Sequence, residues 1–155
     1  MISGNLGEFR AAWPARTTLL GLDLGDRSLG IAGSDASNRL ASPLETLRRR
    51  KVGKDLPELE RLIAKREVGG FVLGWPVSMD GREGERCAKT RRYAEILVDR
   101  FGLPVLLFDE RLSSFAAAEL FEQGHGRRPG VDERIDHYAA AHILQEALDA
   151  LHRSE

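Results

Sequence analysis

Thr17-Thr18-Leu19-Leu20-Gly21-Leu22-Asp23-Leu24-Gly25-Asp26-Arg27-Ser28-Leu29-Gly30-Ile31-Ala32-Gly33-Ser34 is the stretch that decides the fold. Its first eight residues lack the polar alternation of a half-exposed strand, so they read as a buried one, and Gly25-Asp26-Arg27 ends it with turn chemistry. Leu29 to Ser34 is a second strand, and the turn between them is short enough for a hairpin. Asp35-Ala36-Ser37-Asn38-Arg39 turns the chain again, and Ala41 to Leu47 reads as a third, antiparallel strand.

Downstream the period changes. Leu56, Leu59, Leu62 and Ile63 recur at helical spacing, and Gly69-Gly70 is expected to stop that helix. Phe71 to Gly74 is a short apolar strand, followed by a loop from Trp75 to Gly81 and a helix over about Glu83 to Arg100. Val105 to Phe108 is the fifth strand. Ser113 or Ser114 caps a further helix that runs to Gly124, a loop follows to Gly130, and a last helix starts near Asp132. That last helix is expected to bury Ile135, Ala139, Ile143, Ala147 and Leu151. Strands that alternate with helices imply parallel pairing through right-handed crossovers. The expectation is one α/β domain over residues 17–152: a five-stranded mixed sheet, opened by a three-strand antiparallel meander and flanked by helices. Residues 1–16 have no clear period and read as a flexible leader.

Composition bounds the chemistry. The chain has 155 residues, with 23 basic against 24 acidic side chains and a net charge of −1, so it is no polycationic nucleic-acid coat. Hydrophobic residues at 42% and charged residues at 30% suit a folded globular domain rather than a disordered one. No apolar run approaches the roughly 20 residues of a membrane span. The single cysteine, Cys87, cannot pair within the chain, which points to a reducing, cytoplasmic setting.

The informative feature is acidic residues at element ends. Asp23 lies in an otherwise apolar strand, where a carboxylate needs a hydrogen-bond donor or a cation. Two uses stay open for it: accepting N–H groups from its own Gly25 turn, or binding a ligand. Asp109-Glu110 ends the fifth strand at its carboxyl end, the edge where open α/β sheets bind ligands, although a solvated turn is the alternative. Asp136 lies near the start of the last helix, where the helix dipole alone favours an acid. The topology can bring Asp23, Glu110 and Asp136 to one sheet edge. Three gathered carboxylates call for a divalent cation, and hard oxygen ligands select Mg²⁺ or Mn²⁺. The histidines show no zinc-ligand spacing, and His137, turned about 100° from Asp136, is expected at the surface. Candidate phosphate contacts are Arg27 in the first hairpin, Arg82 in the glycine-rich opening of a helix, and the loop pair Arg127-Arg128. The segment around Arg82 lacks the Lys-Ser/Thr end of a P-loop, which excludes that kind of nucleotide hydrolysis.

Four blocks, in order, carry a family resemblance: Gly21-Leu22-Asp23-Leu24-Gly25 continuing to Gly30-Ile31-Ala32-Gly33-Ser34-Asp35; Val72-Leu73-Gly74-Trp75-Pro76 with Met79-Asp80-Gly81; Asp109-Glu110-Arg111-Leu112-Ser113-Ser114; and Arg134-Ile135-Asp136-His137-Tyr138-Ala139-Ala140. The sequence resembles the YqgF family, also called RuvX, of pre-16S rRNA nucleases related to Holliday-junction resolvases. The match spans about Thr17 to Leu151. It implies an RNase H-like fold and a metal-dependent nuclease that matures the 5′ end of pre-16S rRNA. It assigns Asp23, Glu110 and Asp136 as catalytic metal ligands for Mg²⁺ or Mn²⁺, with Asp109 as an outer carboxylate. Arg27, Arg82, Arg111, Ser113, Arg127 and Arg128 are the expected nucleic-acid contacts. Trp75 stands where the family commonly has a smaller apolar or aromatic residue, and Ser113-Ser114 replaces the commoner threonines; neither removes a carboxylate. The expected partners are structured RNA (pre-16S rRNA), branched DNA on the resolvase alternative, and ribosomal subunit precursors, with no membrane. Two alternatives stand beside the rRNA nuclease: a resolvase of branched DNA, which must work as a twofold dimer, and a non-catalytic RNA-binding assembly factor. Sequence alone fits a monomer or a homodimer.

Overall fold

The computed structural model describes residues 1–49, 54–76, 83–109 and 134–153, without the side chains of residues 134–136. Its elements are β1 (Ile2–Ser3), α1 (Leu6–Ala12), β2 (Thr18–Leu24), β3 (Ser28–Ser34), β4 (Ala41–Arg48), α2 (Leu56–Arg66), β5 (Val68–Trp75), α3 (Glu85–Phe101), β6 (Val105–Asp109) and α4 (Arg134–Arg153). They build one mixed sheet in the order β1-β6-β5-β2-β3-β4. The meander is as expected: β2 pairs antiparallel with β3, and β3 with β4. The crossovers through α2 and α3 bring β5 parallel to β2 and β6 parallel to β5.

Among the described residues the sheet has six strands rather than five, because the expected leader is part of the fold. Ile2 and Ser3 pair in parallel with Val105 and Leu106. Asn5 caps α1 by accepting a hydrogen bond from the Glu8 N–H at 2.9 Å. Phe9 of α1 is fully buried and stacks on Trp13, with ring centroids 6.0 Å apart. Burying such a side chain is worth about 1.5–3 kcal/mol.

The Gly69-Gly70 pair also differs from expectation. Helix α2 ends earlier, at Glu67 in the left-handed conformation (φ 54°), and both glycines lie inside β5. They serve close packing: a Cβ on Gly69 would sit 2.0 Å from Thr17 Oγ1, and one on Gly70 3.0 Å from the Phe9 ring. Trp75, expected to open a loop, ends β5 instead. It is buried, with the Arg91 guanidinium 5.2 Å from its ring centroid.

Each face of the sheet carries its own core. Leu20, Leu22, Leu29, Ile31 and Leu73 pack with Leu59 and Leu62 of α2 and with Tyr93, Ala94 and Leu97 of α3. Leu19, Ala32, Val72 and Leu106 pack on the other side with Phe9 of α1 and with Ala140, Ile143, Leu144, Ala147 and Leu151 of α4. The period-2 alternation of β2 separates the two sets. Among the described residues no helix is long and apolar enough to cross a membrane. The helix expected from Ser113 to Gly124, and the loop after it, lie outside the described residues.

Candidate active site

Three parallel strands end together at one edge. Leu22 of β2 pairs with Leu73 of β5, which pairs with Leu107 of β6, and Asp23 is the next residue beyond that row. Asp23 is half-buried. Its antiparallel partner is Gly30, and Gly30 in turn faces Thr46 of β4, so Asp23, Gly30 and Thr46 form one row. By strand alternation that row lies on the face covered by α4, the face of Leu19 and Ala32 rather than that of Leu20 and Leu22.

Helix α4 runs with its first turn over this row. Its middle rests directly on β2 at Gly21, where a Cβ would stand 2.6 Å from Leu144 Cβ and 3.0 Å from the Ala140 carbonyl. Any larger residue would hold the helix off the sheet. One turn nearer the helix start, His137 Nδ1 shares a 2.9 Å hydrogen bond with Thr46 Oγ1. At the other end, His152 Nε2 bonds the Asn38 carbonyl at 2.9 Å, and Asn38 donates to the Thr17 carbonyl at the start of β2. The helix is therefore antiparallel to β2, and Asp136, the residue before His137, enters over the end of the strand that carries Asp23.

The turn after Asp23 bears on the two uses left open for that carboxylate. The Gly25 N–H donates to the Ser28 carbonyl at 2.9 Å and closes the hairpin. That amide is committed to closing the turn. Arg27, at the tip, is exposed, and its carbonyl accepts the Arg49 N–H at 2.8 Å. Asp109 ends β6 opposite Trp75. By strand alternation it shares the α3 face with Val105 and Leu107.

The structure thus brings Asp23 and the chain position of Asp136 to one edge and one face. Glu110, Arg82, Arg111, Ser113, Arg127 and Arg128 lie outside the described residues. Among the described residues no three His, Cys, Asp or Glu side chains stand together as a metal site. The available donors are carboxylate oxygens, which suit a hard divalent cation better than zinc. His137 departs from expectation: it is half-buried and bonded to Thr46 rather than free at the surface. Its place in the first turn of α4 sets it against β4. Thr46 carried no sequence signal, being one β-branched residue in a strand.

The family described as RuvX, Holliday junction resolvase, matches residues 17–150. A relative from Ruegeria pomeroyi is 46% identical over 151 residues, covering 97% of this chain and 98% of its own, and carries the provisional name pre-16S rRNA nuclease. One from Rhodospirillum rubrum with the same name is 48% identical over 151 residues, covering 96% and 93%. Among solved structures, Thermus thermophilus RuvC superposes with a TM-score of 0.54 at 15% identity, over 86% of this chain and 95% of that one. At that identity the likeness establishes the fold, the α/β architecture of the RNase H-like resolvases.

Proposed function

Since the chain belongs to the RuvX family, we propose that it is a divalent-metal-dependent nuclease that hydrolyses phosphodiester bonds in pre-16S rRNA. The observation that carries this reading is the half-buried Asp23 at the carboxyl end of β2, with the first turn of α4 and its Asp136 over the same row. The provisional name shared by full-length relatives supports the RNA substrate.

In this reading Asp23, Glu110 and Asp136 would hold Mg²⁺ or Mn²⁺. A bound divalent ion would supply an activated water and charge neutralisation at the leaving oxygen. The protein's own part is orientation. The sheet fixes Asp23 through its pairing with Gly30, and the Thr46–His137 bond fixes the entry of α4, so that Asp136 is presented by a rigid helix. Arg27 at the hairpin tip, with Arg82, Arg111, Ser113, Arg127 and Arg128, engages phosphates and sets the register of the strand.

The test pairs two substrates. The full chain is incubated with a pre-16S rRNA 5′-leader fragment and, separately, with a synthetic four-way DNA junction, each with Mg²⁺, Mn²⁺ or EDTA. The RNA is expected to be cut in either metal and left intact in EDTA. Paired symmetric cuts in the junction, with the RNA untouched, would overturn the rRNA reading in favour of a resolvase.

A further inference from the structure

On the face of the sheet opposite α4, a cavity of about 380 Å³ opens between the turn after β2 and helix α3. Among the described residues, four cations line it, Arg49, Arg86, Lys89 and Arg92, against one carboxylate, Asp26. This is a concentrated positive site in a chain whose net charge is −1. Its floor is apolar, made by Leu24, Tyr93 and Ile96.

The cations are not explained by local stability. Lys89 Nζ is 3.9 Å from Asp26 Oδ1, but the two side chains are 58% and 83% exposed, and such a pair contributes little. Arg86 and Arg92 are exposed, and neither guanidinium has a carboxylate partner among the described residues. Arg86 also lies in the first turn of α3, where the helix dipole disfavours a positive charge. Arg49, by contrast, is held in place. Its guanidinium is 5.2 Å from the Tyr93 ring centroid, Nη1 donates to the Gly25 carbonyl at 3.4 Å, and Nε is 3.9 Å from Asp55 Oδ2. Tyr93 in turn donates to Asp55. One fixed arginine at the wall and three exposed cations at the rim suit a phosphate that arrives from solvent.

We propose that this pocket is a second phosphate-binding subsite, which grips the backbone of the nucleic-acid strand beside the bond that is cut. The assignment rests on the nuclease reading above and extends it to the α3 face. Leu24 and Gly25, which line the pocket, directly follow Asp23. Two residues of strand span about 7 Å, so a strand crossing the carboxyl edge of the sheet passes from the acid row to the pocket within a short reach. The apolar floor accepts the sugar of the bound nucleotide, and the rim neutralises its phosphate.

The experiment reads binding apart from cleavage. In the full-length D23N background, the affinity for a labelled pre-16S 5′-leader RNA is measured by fluorescence anisotropy over a series of salt concentrations. This is done with and without the double substitution Arg86→Ala/Arg92→Ala, and with Lys89→Ala as a second variant; matching thermal midpoints verify folding. The double variant is expected to bind more weakly at every salt concentration, with the slope of log K against log salt shallower by about 1.4 for single-stranded contacts. Unchanged affinity and slope in both variants would overturn the proposal. Inorganic phosphate and a nucleoside monophosphate are titrated in parallel. If either binds more tightly than the RNA, and the double variant loses that binding, the strand assignment falls and the pocket is a small-ligand site. The two readings fail separately. A wild-type chain that does not cut RNA in metal, while the slope still changes, removes the nuclease and keeps the pocket; cleavage with no slope change does the reverse.

Discussion

At the scale of single residues, what matters is which groups are already committed. Asp23 was conspicuous in the sequence because a carboxylate interrupts an apolar strand, and that signal is physical: the charge needs a partner. Whether the Gly25 amide was that partner could not be read from composition, since it depends on how the hairpin closes. The Gly25–Ser28 bond commits that amide to the hairpin. Gly21 was legible only as a small residue in a strand, whereas its role is to let α4 lie on the sheet. Replacing it with alanine sets a Cβ 2.6 Å from Leu144 Cβ and 3.0 Å from the Ala140 carbonyl. Gly21→Ala should therefore destabilise the chain by about 1–3 kcal/mol, as overpacking of a close-packed core does. Urea denaturation measures this, and an unchanged midpoint would mean that the helix yields without cost. Helical phase alone places His137 about 100° from Asp136, but phase cannot tell that β4 presents Thr46 to it.

At the scale of elements, long apolar patterns were legible and short ones were not. The meander, α3 and α4 all carry periodic signals over several turns or strands. Helix α1 has seven residues, and its only buried one is Phe9, so no period exists to detect. Its order comes from residues far along the chain, such as Gly70 beneath the Phe9 ring and Val105 beside Ile2. A second element-level effect joins β4 to α2. Burial, and then the neighbouring Glu58 carboxylate, pushes Glu45 up to about 7, while a hydrogen bond from Arg61 pulls Glu58 down to about 2. Both groups have ordinary values near 4.5. Between about 4.5 and 7 the folded chain keeps the Glu45 proton that the unfolded chain releases, so this group makes stability fall as pH rises. Glu58 acts oppositely, adding stability as pH rises from about 2 to 4.5. Glu45→Gln should remove the first effect. Its thermal midpoint, followed from pH 5 to 7.5, should decline less than that of the wild type, and parallel declines would contradict the assignment.

At the scale of the whole molecule, the sheet order was largely derivable, because hairpins and right-handed crossovers leave few arrangements. The sixth strand was not, since two residues added at an edge leave no pattern. The candidate site shows the same division. Its location at the carboxyl edge follows from topology, whereas the approach of Asp136 to the Asp23 row needs the packing of α4 on Gly21 and the Thr46–His137 bond. The central claim is that the acid ending β2 serves cleavage rather than folding or RNA capture. The most direct measurement compares the wild type with Asp23→Asn on a pre-16S rRNA 5′-leader in Mg²⁺ and Mn²⁺, following cleavage and RNA affinity on the same samples. The variant is expected to lose cleavage in both metals while its affinity and thermal midpoint stay near wild type. Cleavage retained by Asp23→Asn, or lost only together with folding, would contradict it.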